Sequence, residues 1–142
     1  MIRLAAPFAL ACLALSAAPA LAQQVTVTLT GVEARGGHVS GVLNSEATFM
    51  RGADYTAQVS GDAAGTVILT FQNVAPGDYA LMVMHDANDN DSFDMSPSGM
   101  PAEGFAFSNK GRPLMGMPTF QGLKFTVTAE GATLTEPMFY MQ

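Results

Sequence analysis

The sequence predicts an all-β domain, a single antiparallel Greek-key β-sandwich of about seven or eight strands with one long ordered loop, and three observations predict it. Apolar and polar residues alternate with a period of two in several separate segments. Glycine and proline fall between those segments, where short strands need turns. No segment repeats apolar residues at the three-to-four-residue spacing of a convincing amphipathic helix.

The amino terminus stands apart from this pattern. Basic Met1-Ile2-Arg3 is followed by an apolar run from Leu4 to Leu15 and small residues ending at Ala20-Leu21-Ala22. That order predicts a secretory signal peptide over residues 1–22, with cleavage near Ala22. Cys12, preceded by Ala9-Leu10-Ala11, offers a competing lipoprotein reading, but the length of the apolar run favours ordinary cleavage. Residues 23–142 then have the usual size of one domain, in the periplasm or secreted, without a thiol or a disulfide. No later segment approaches the ~18 uncharged apolar residues of a spanning helix.

The first strand is expected at Val25-Thr-Val-Thr-Leu-Thr30, with Val25, Val27 and Leu29 on the buried face. Gly36-Gly37 turns the chain into a second extended run, His38 to Ala47, with His38 an exposed strand residue. Thr48 to Ser60 carries no clear period. After the turn Gly61 to Gly65, Val67, Leu69 and Phe71 alternate with Thr66, Ile68 and Thr70, and Asn73 and Pro76-Gly77 close the strand. The next run, Asp78 to His85, is expected to pair with it as an antiparallel hairpin. Tyr79, Leu81, Val83 and His85 share one face of that run, and Ala80, Met82 and Met84 the other. Both faces are apolar, as in a central strand. Phe125 and Val127 alternate in a later strand, and Pro137 places the last strand, Ala132 to Met141, at a sheet edge or bulge.

Charge restricts the partners. Twelve acidic residues face six basic ones, a formal net charge of −6, and loss of Arg3 with the signal makes the domain more acidic still. Such a surface repels nucleic acid and anionic lipid and favours cations. The partner classes that remain are a protein, a glycan or a small molecule.

The acid is concentrated in His85-Asp-Ala-Asn-Asp-Asn-Asp-Ser-Phe-Asp94. Counted from Asp86, oxygen-bearing residues stand at positions one, three, five, seven and nine, the spacing with which a tight loop presents six to eight hard oxygens to calcium. Asp86, Asn88, Asn90 and Asp94 are the side-chain candidates, and Ser92 offers its backbone carbonyl. Two positions depart from an EF-hand: Asp91 stands where the turn glycine belongs, and Pro97 replaces the bidentate glutamate at position twelve. Asp and Asn tolerate left-handed backbone, so the turn survives as a calcium-type loop between β elements. The competing reading is an Asx-rich turn that holds no ion.

Several stretches together carry a family resemblance. They are Phe71-Gln-Asn-Val-Ala-Pro-Gly-Asp-Tyr-Ala80, the His-Asp-x-Asn-x-Asn run at 85 to 90, Gly99-Met-Pro-Ala-Glu-Gly-Phe-Ala-Phe-Ser-Asn109 and Pro118-Thr-Phe120. In this order they resemble an exported bacterial family catalogued as domain of unknown function 2141, over nearly all of residues 23–142. The family carries no established activity and usually has glycine where this chain has Asp89 and Asp91. The Pro-Gly-x-Tyr element also resembles transthyretin-like and carboxypeptidase-regulatory-like sandwiches, and the acidic loop resembles calcium loops of bacterial adhesin repeats. These likenesses imply a fold and no function.

Catalysis lacks parts. Two histidines and no thiol outside the signal leave nothing for a nucleophilic or zinc site, and Ser108 stands outside any Gly-x-Ser-x-Gly elbow. A non-catalytic binding or structural module is therefore expected. His85 is expected to be a buried structural histidine with Glu103 as partner. The alternative function is a periplasmic copper-binding protein using Met82, Met84, His85, Met115 and Met117, set against methionines that merely fill a core. In the long segment after Asp94, Glu103, Phe105, Phe107, Asn109, Lys110 and Arg112 offer aromatic surface and mixed charge, and alternation at Phe105 and Phe107 favours a strand.

Overall fold

The computed structural model describes residues 23–110 and 117–141; the expected signal peptide, Arg112 and Met115 lie outside them. Alternation becomes eight strands: β1 Val25–Val32, β2 His38–Asn44, β3 Tyr55–Ser60, β4 Gly65–Phe71, β5 Gly77–Asp86, β6 Gly104–Phe107, β7 Phe125–Val127 and β8 Ala132–Pro137. They form two sheets. One has the order β4-β1-β8, the other β3-β2-β5-β6, with β7 also paired to β5. Among the described residues no helix is long and apolar enough to cross a membrane.

The two sheets bury their alternate residues against one another. Val25, Val27 and Leu29 of β1, Val67, Leu69 and Phe71 of β4, and Tyr79, Leu81 and Val83 of β5 belong to one buried cluster. Leu81 and Val83 of β5, Val127 of β7 and the alternating residues of β1 and β4 are buried as expected, and Phe125 is half-buried at the margin. The sheets pack closely at Gly41, where a Cβ would stand 2.8 Å from Leu69 Cδ1 and 3.1 Å from the Phe71 ring. A side chain there would push the sheets apart.

Two pairings differ from expectation. β4 and β5 do not form a hairpin: Phe71 pairs with Val25 in one sheet and Gly77 with Val127 in the other. The segment from Asn73 to Pro76 instead carries the chain across the core, anchored by fully buried Val74, whose N–H donates to Gln23 O at 3.0 Å. Both strands need the same core on their apolar faces, and crossing between sheets gives each of them that contact. The sandwich is also not wholly antiparallel, because β8 runs parallel to β1, from Val25 opposite Ala132 to Thr30 opposite Pro137. The chain reaches β8 from β7 in the opposite sheet, so its direction is not imposed by a hairpin with β1. Pro137 sits in the edge strand, where its missing N–H costs no ladder bond.

β5 is central and ten residues long, enough for two short partners end to end on one side, β7 against Gly77–Tyr79 and β6 against Met82–His85. Its outer face is covered at Ala80 by Phe120 and Leu123 of a single helical turn, α1 Phe120–Leu123, which the sequence pattern did not reveal. Thr119 caps that turn by accepting the Gly122 N–H.

The register predicts opposite outcomes at adjacent positions of β4. Leu69 is fully buried and Ile68 is 54% exposed. In denaturant melts Leu69→Ala should cost about 2–5 kcal/mol, and Ile68→Ala roughly 0.5 kcal/mol or less. Similar losses at both would mean the strand is misregistered.

Candidate functional site

The acidic segment begins where β5 ends. His85 and Asp86 are both fully buried, and beyond them the chain enters a loop shaped by its own side chains. Asn88 Oδ1 accepts the Asn90 N–H at 3.2 Å and Asn90 Oδ1 accepts the Ser92 N–H at 2.9 Å, two successive Asx turns. The Asp86 carboxylate accepts the N–H groups of Asn90 at 3.2 Å and Asp91 at 2.7 Å. These bonds wind the backbone so tightly that Asp89 and Asp91 take left-handed φ of 55° and 57°, and acidic residues occupy positions that glycine would occupy without strain.

The side chains named as candidate ligands converge. Asn88 Nδ2 and Asn90 Nδ2 each donate to Asp94 Oδ2 at 2.8 Å, and Asp86 lies beneath the same turn. Ser92 enters this network through its N–H, donated to Asn90 Oδ1. Burial alone would raise the Asp86 carboxyl. The N–H groups of Asp91 and Asn90, with the nearby His38, outweigh it and hold the carboxyl below its ordinary range.

Two residues that sequence reasoning did not place here complete the surroundings. His38 is not an exposed strand residue: β2 pairs it with Asp86, and its side chain, 12% exposed, closes against the loop. Its Nδ1 lies 2.6 Å from Asp89 Oδ1, and its Nε2 lies 3.7 Å from both Asp86 Oδ2 and Asp91 Oδ1. One ligand atom from each of His38, Asp86 and Asp91 can be chosen so that all lie within 4.8 Å of one another. The hydrogen bond to Asp89 raises the His38 pKa, with the charges of Asp86, Asp89 and Asp91 adding and burial opposing.

Glu103 is the second. A short hairpin after Asp94, with Met95 bridged to Pro101 and the Ala102 N–H donated to Asp94 O at 2.9 Å, returns the chain so that Glu103 lies beside Asp94. Glu103 is 5% exposed; its Oε2 accepts the Asp94 N–H at 3.2 Å, and its Oε1 makes no hydrogen bond of normal geometry. Burial pushes its carboxyl up; the Asp94 and Ala87 N–H groups oppose this and the charges of Asp86 and Asp94 reinforce it. The local clue was an acid directly before an apolar strand, but its neighbours are set by the hairpin.

Glu103 is not the partner of His85. His85 is buried as expected, with Nε2 3.0 Å from Gly36 O and Nδ1 2.8 Å from the Tyr140 hydroxyl. A carbonyl can only accept, so Nε2 carries a proton and donates it. His85 also faces the core, whereas Met82 and Met84 lie half-buried on the opposite face of β5, so these copper-ligand candidates do not meet. Met117 is 75% exposed. Phe105 and Phe107 continue as β6, and Phe105 is buried among the rings of Phe93, Phe107 and Phe139. Ser108 Oγ accepts the Leu81 N–H and donates to Leu123 O, and Asn109 Nδ2 donates to Lys124 O at 2.9 Å. Both residues tie elements together.

The His38 contacts fix a pH dependence. A folded-state pKa above the unfolded value gives stability that is full below about 6.5 and is lost as pH rises through the folded value. NMR titration in chelator should therefore find His38 above the ordinary histidine value and returning toward it in Asp89→Asn. His38→Gln should melt below the wild type at pH 6 and together with it at pH 9. A His38 titrating at or below the ordinary value would contradict the loop geometry.

The loop, its hairpin and both sheets fall within one family match. The matching family is described as an uncharacterized protein conserved in bacteria, DUF2141, and the match covers residues 27–135. Among curated proteins and among solved structures none matches the chain. The extent of the family match, from most of β1 through most of β8, shows that the chain belongs to the bacterial family DUF2141.

Proposed function

We propose that this chain is an exported, non-catalytic binding or structural module whose Asp86–Asp94 loop takes calcium or a similar hard cation. The observation that carries the reading is the convergence of Asn88 and Asn90 on Asp94 Oδ2 above a buried Asp86 that accepts the N–H groups of loop positions five and six. Asp86, Asn88, Asn90 and Asp94 supply side-chain oxygens in this reading, and Ser92 its carbonyl. The two amides now present nitrogen to Asp94, and a half-turn about each Cβ–Cγ bond would exchange nitrogen for oxygen at the cost of the Asx-turn bonds those oxygens accept. A cation would also relieve the mutual repulsion of Asp86, Asp89, Asp91 and Asp94.

The cation's role is to order the loop and thereby fasten the end of β5. Export rests on the residue pattern of positions 1–22, and a Greek-key, transthyretin-like description of the sandwich belongs to the same reading. A protein, glycan or small-molecule partner would meet a surface whose loops are held by a rigid sheet.

Binding to the folded state alone adds RT ln(1 + [L]/Kd), so a site with Kd on the order of 10⁻⁴ to 10⁻³ M contributes about 1 kcal/mol at millimolar calcium. For a domain of this size that raises Tm by about 4 °C. Thermal melts in chelator and in millimolar calcium should differ by this amount, magnesium should do less, and Asp86→Ala/Asp94→Ala should abolish the difference. Identical melts for the wild type would leave the loop an Asx-rich turn without an ion.

A further inference from the structure

We propose that Glu103 completes the cation site, supplying from the start of β6 the carboxylate that a self-contained calcium loop carries at its twelfth position. The inference rests on the cation reading of the 86–94 loop and assigns it a further ligand. In an EF-hand that twelfth residue is a glutamate. Here position twelve is Pro97, which has no side-chain oxygen, and it sits in the hairpin that turns the chain back.

That hairpin places a glutamate where the loop lacks one. Ser96 N–H donates to Met100 O at 2.8 Å, Gly99 N–H to Ser96 O at 2.9 Å, and Ala102 N–H to Asp94 O at 2.9 Å, which sets Glu103 next to Asp94 across the turn. The Glu103 carboxylate faces the loop: Oε2 takes the Asp94 N–H, and Asp86 and Asp94 are the charged groups acting on it. The residue is 5% exposed, and although the Ala87 N–H also acts on the carboxylate, Oε1 makes no hydrogen bond of normal geometry among the described residues. Buried polar atoms normally find partners, and an ionised oxygen more than most.

No lysine or arginine answers this charge among the described residues. The ion pairs of Arg35 and Lys124 go to Glu33 and Asp78, and the imidazole of His38 lies against Asp86, Asp89 and Asp91. Asp86 and Asp94 thus act as like charges on Glu103 from a second chain segment, and one Glu103 oxygen is left without a hydrogen bond of normal geometry. A hard divalent cation of calcium size satisfies that oxygen and the repulsion together, and more ligand charge in a calcium site means tighter binding. The site would then link the end of β5 to the start of β6, so that an ion fastens two strands as well as one loop.

The test is calorimetric titration of the full chain with calcium chloride, with melts in chelator and in calcium, for wild type, Glu103→Gln and the exposed-turn control Glu130→Gln. The amide removes the charge and keeps the shape. Glu103→Gln should weaken calcium binding at least tenfold and lose most of the calcium-dependent Tm rise, while melting in chelator at or above the wild-type temperature. The control should match wild type throughout. Glu103→Gln with wild-type affinity, or with a lower Tm in chelator and an intact calcium response, would make Glu103 a structural residue and overturn the proposal while leaving the loop reading in place. Absence of calcium binding by the wild type would overturn the loop reading itself. If Glu103→Gln does not fold, Glu103→Asp decides: the shortened carboxylate should weaken binding, and unchanged affinity overturns the proposal.

Discussion

Hydrogen bonding along both edges of β5 sets where the rest of the structure lies. One edge of Gly77–Asp86 is paired with β2 from Asn44 to His38, and the other is shared by β7 and β6. The strand is long enough that its two ends do different things. Near Gly77 it meets β7 and the crossing from β4, clamped by the Tyr79 hydroxyl on Ala75 O and by the Tyr55 hydroxyl, which accepts the Ala75 N–H. At Asp86 it delivers a carboxylate that accepts the Asn90 and Asp91 N–H groups of the loop. The pairing with β2 that completes the sheet also brings His38 opposite Asp86, so sheet register and loop electrostatics are one constraint.

Beneath the loop lies a polar floor that the apolar core has to accommodate. His85 donates from Nε2 to Gly36 O and shares a hydrogen bond through Nδ1 with the Tyr140 hydroxyl, which also accepts the Glu33 N–H at 3.1 Å. Each side-chain polar atom of His85 and Tyr140 is used, the condition under which a buried network specifies a structure and does not weaken it. The geometry depends on glycines at close approaches. A Cβ on Gly61 would collide with Gly36 O and His85 Nε2, and one on Gly37, whose φ is 60°, with the carbonyl of Asp86. The Arg35 guanidinium covers the Tyr140 ring at 4.5 Å from its centroid, closing the floor from outside.

What the sequence made legible was local. Alternation at Val25–Leu29, Val67–Phe71 and Tyr79–His85 identifies the strands and their inner faces, because a period of two follows from backbone geometry alone. The Asp/Asn spacing likewise gave the loop, since Asx turns form between residues two apart. Partners distant in sequence were not legible. Pro76-Gly77 marks a turn but does not say whether the chain stays in its sheet, and β8 lies beside β1 through pairing more than a hundred residues apart. Glu103 was the partner expected for His85, and the structure gives Tyr140 instead. The choice falls to Tyr140 because Gly104, opposite His85, leaves room for that ring, and Glu103 turns to Asp94 instead. The isolated turn at Phe120–Leu123 is too short to show a helical period.

The left-handed aspartates at 89 and 91 also bear on the unfolded chain. Glycine at both positions would relax the loop but would give the denatured segment many more conformations to lose on folding. Two aspartates reverse that trade: they accept backbone strain in the native turn and narrow the ensemble from which it forms. Their short side chains make the strain tolerable, while their charges, 64% and 89% exposed, extend into solvent around His38. The loop is thereby preorganised by restriction of its disordered state, and an occupant of its interior would meet a conformation whose ordering entropy has in part already been surrendered by the choice of residue.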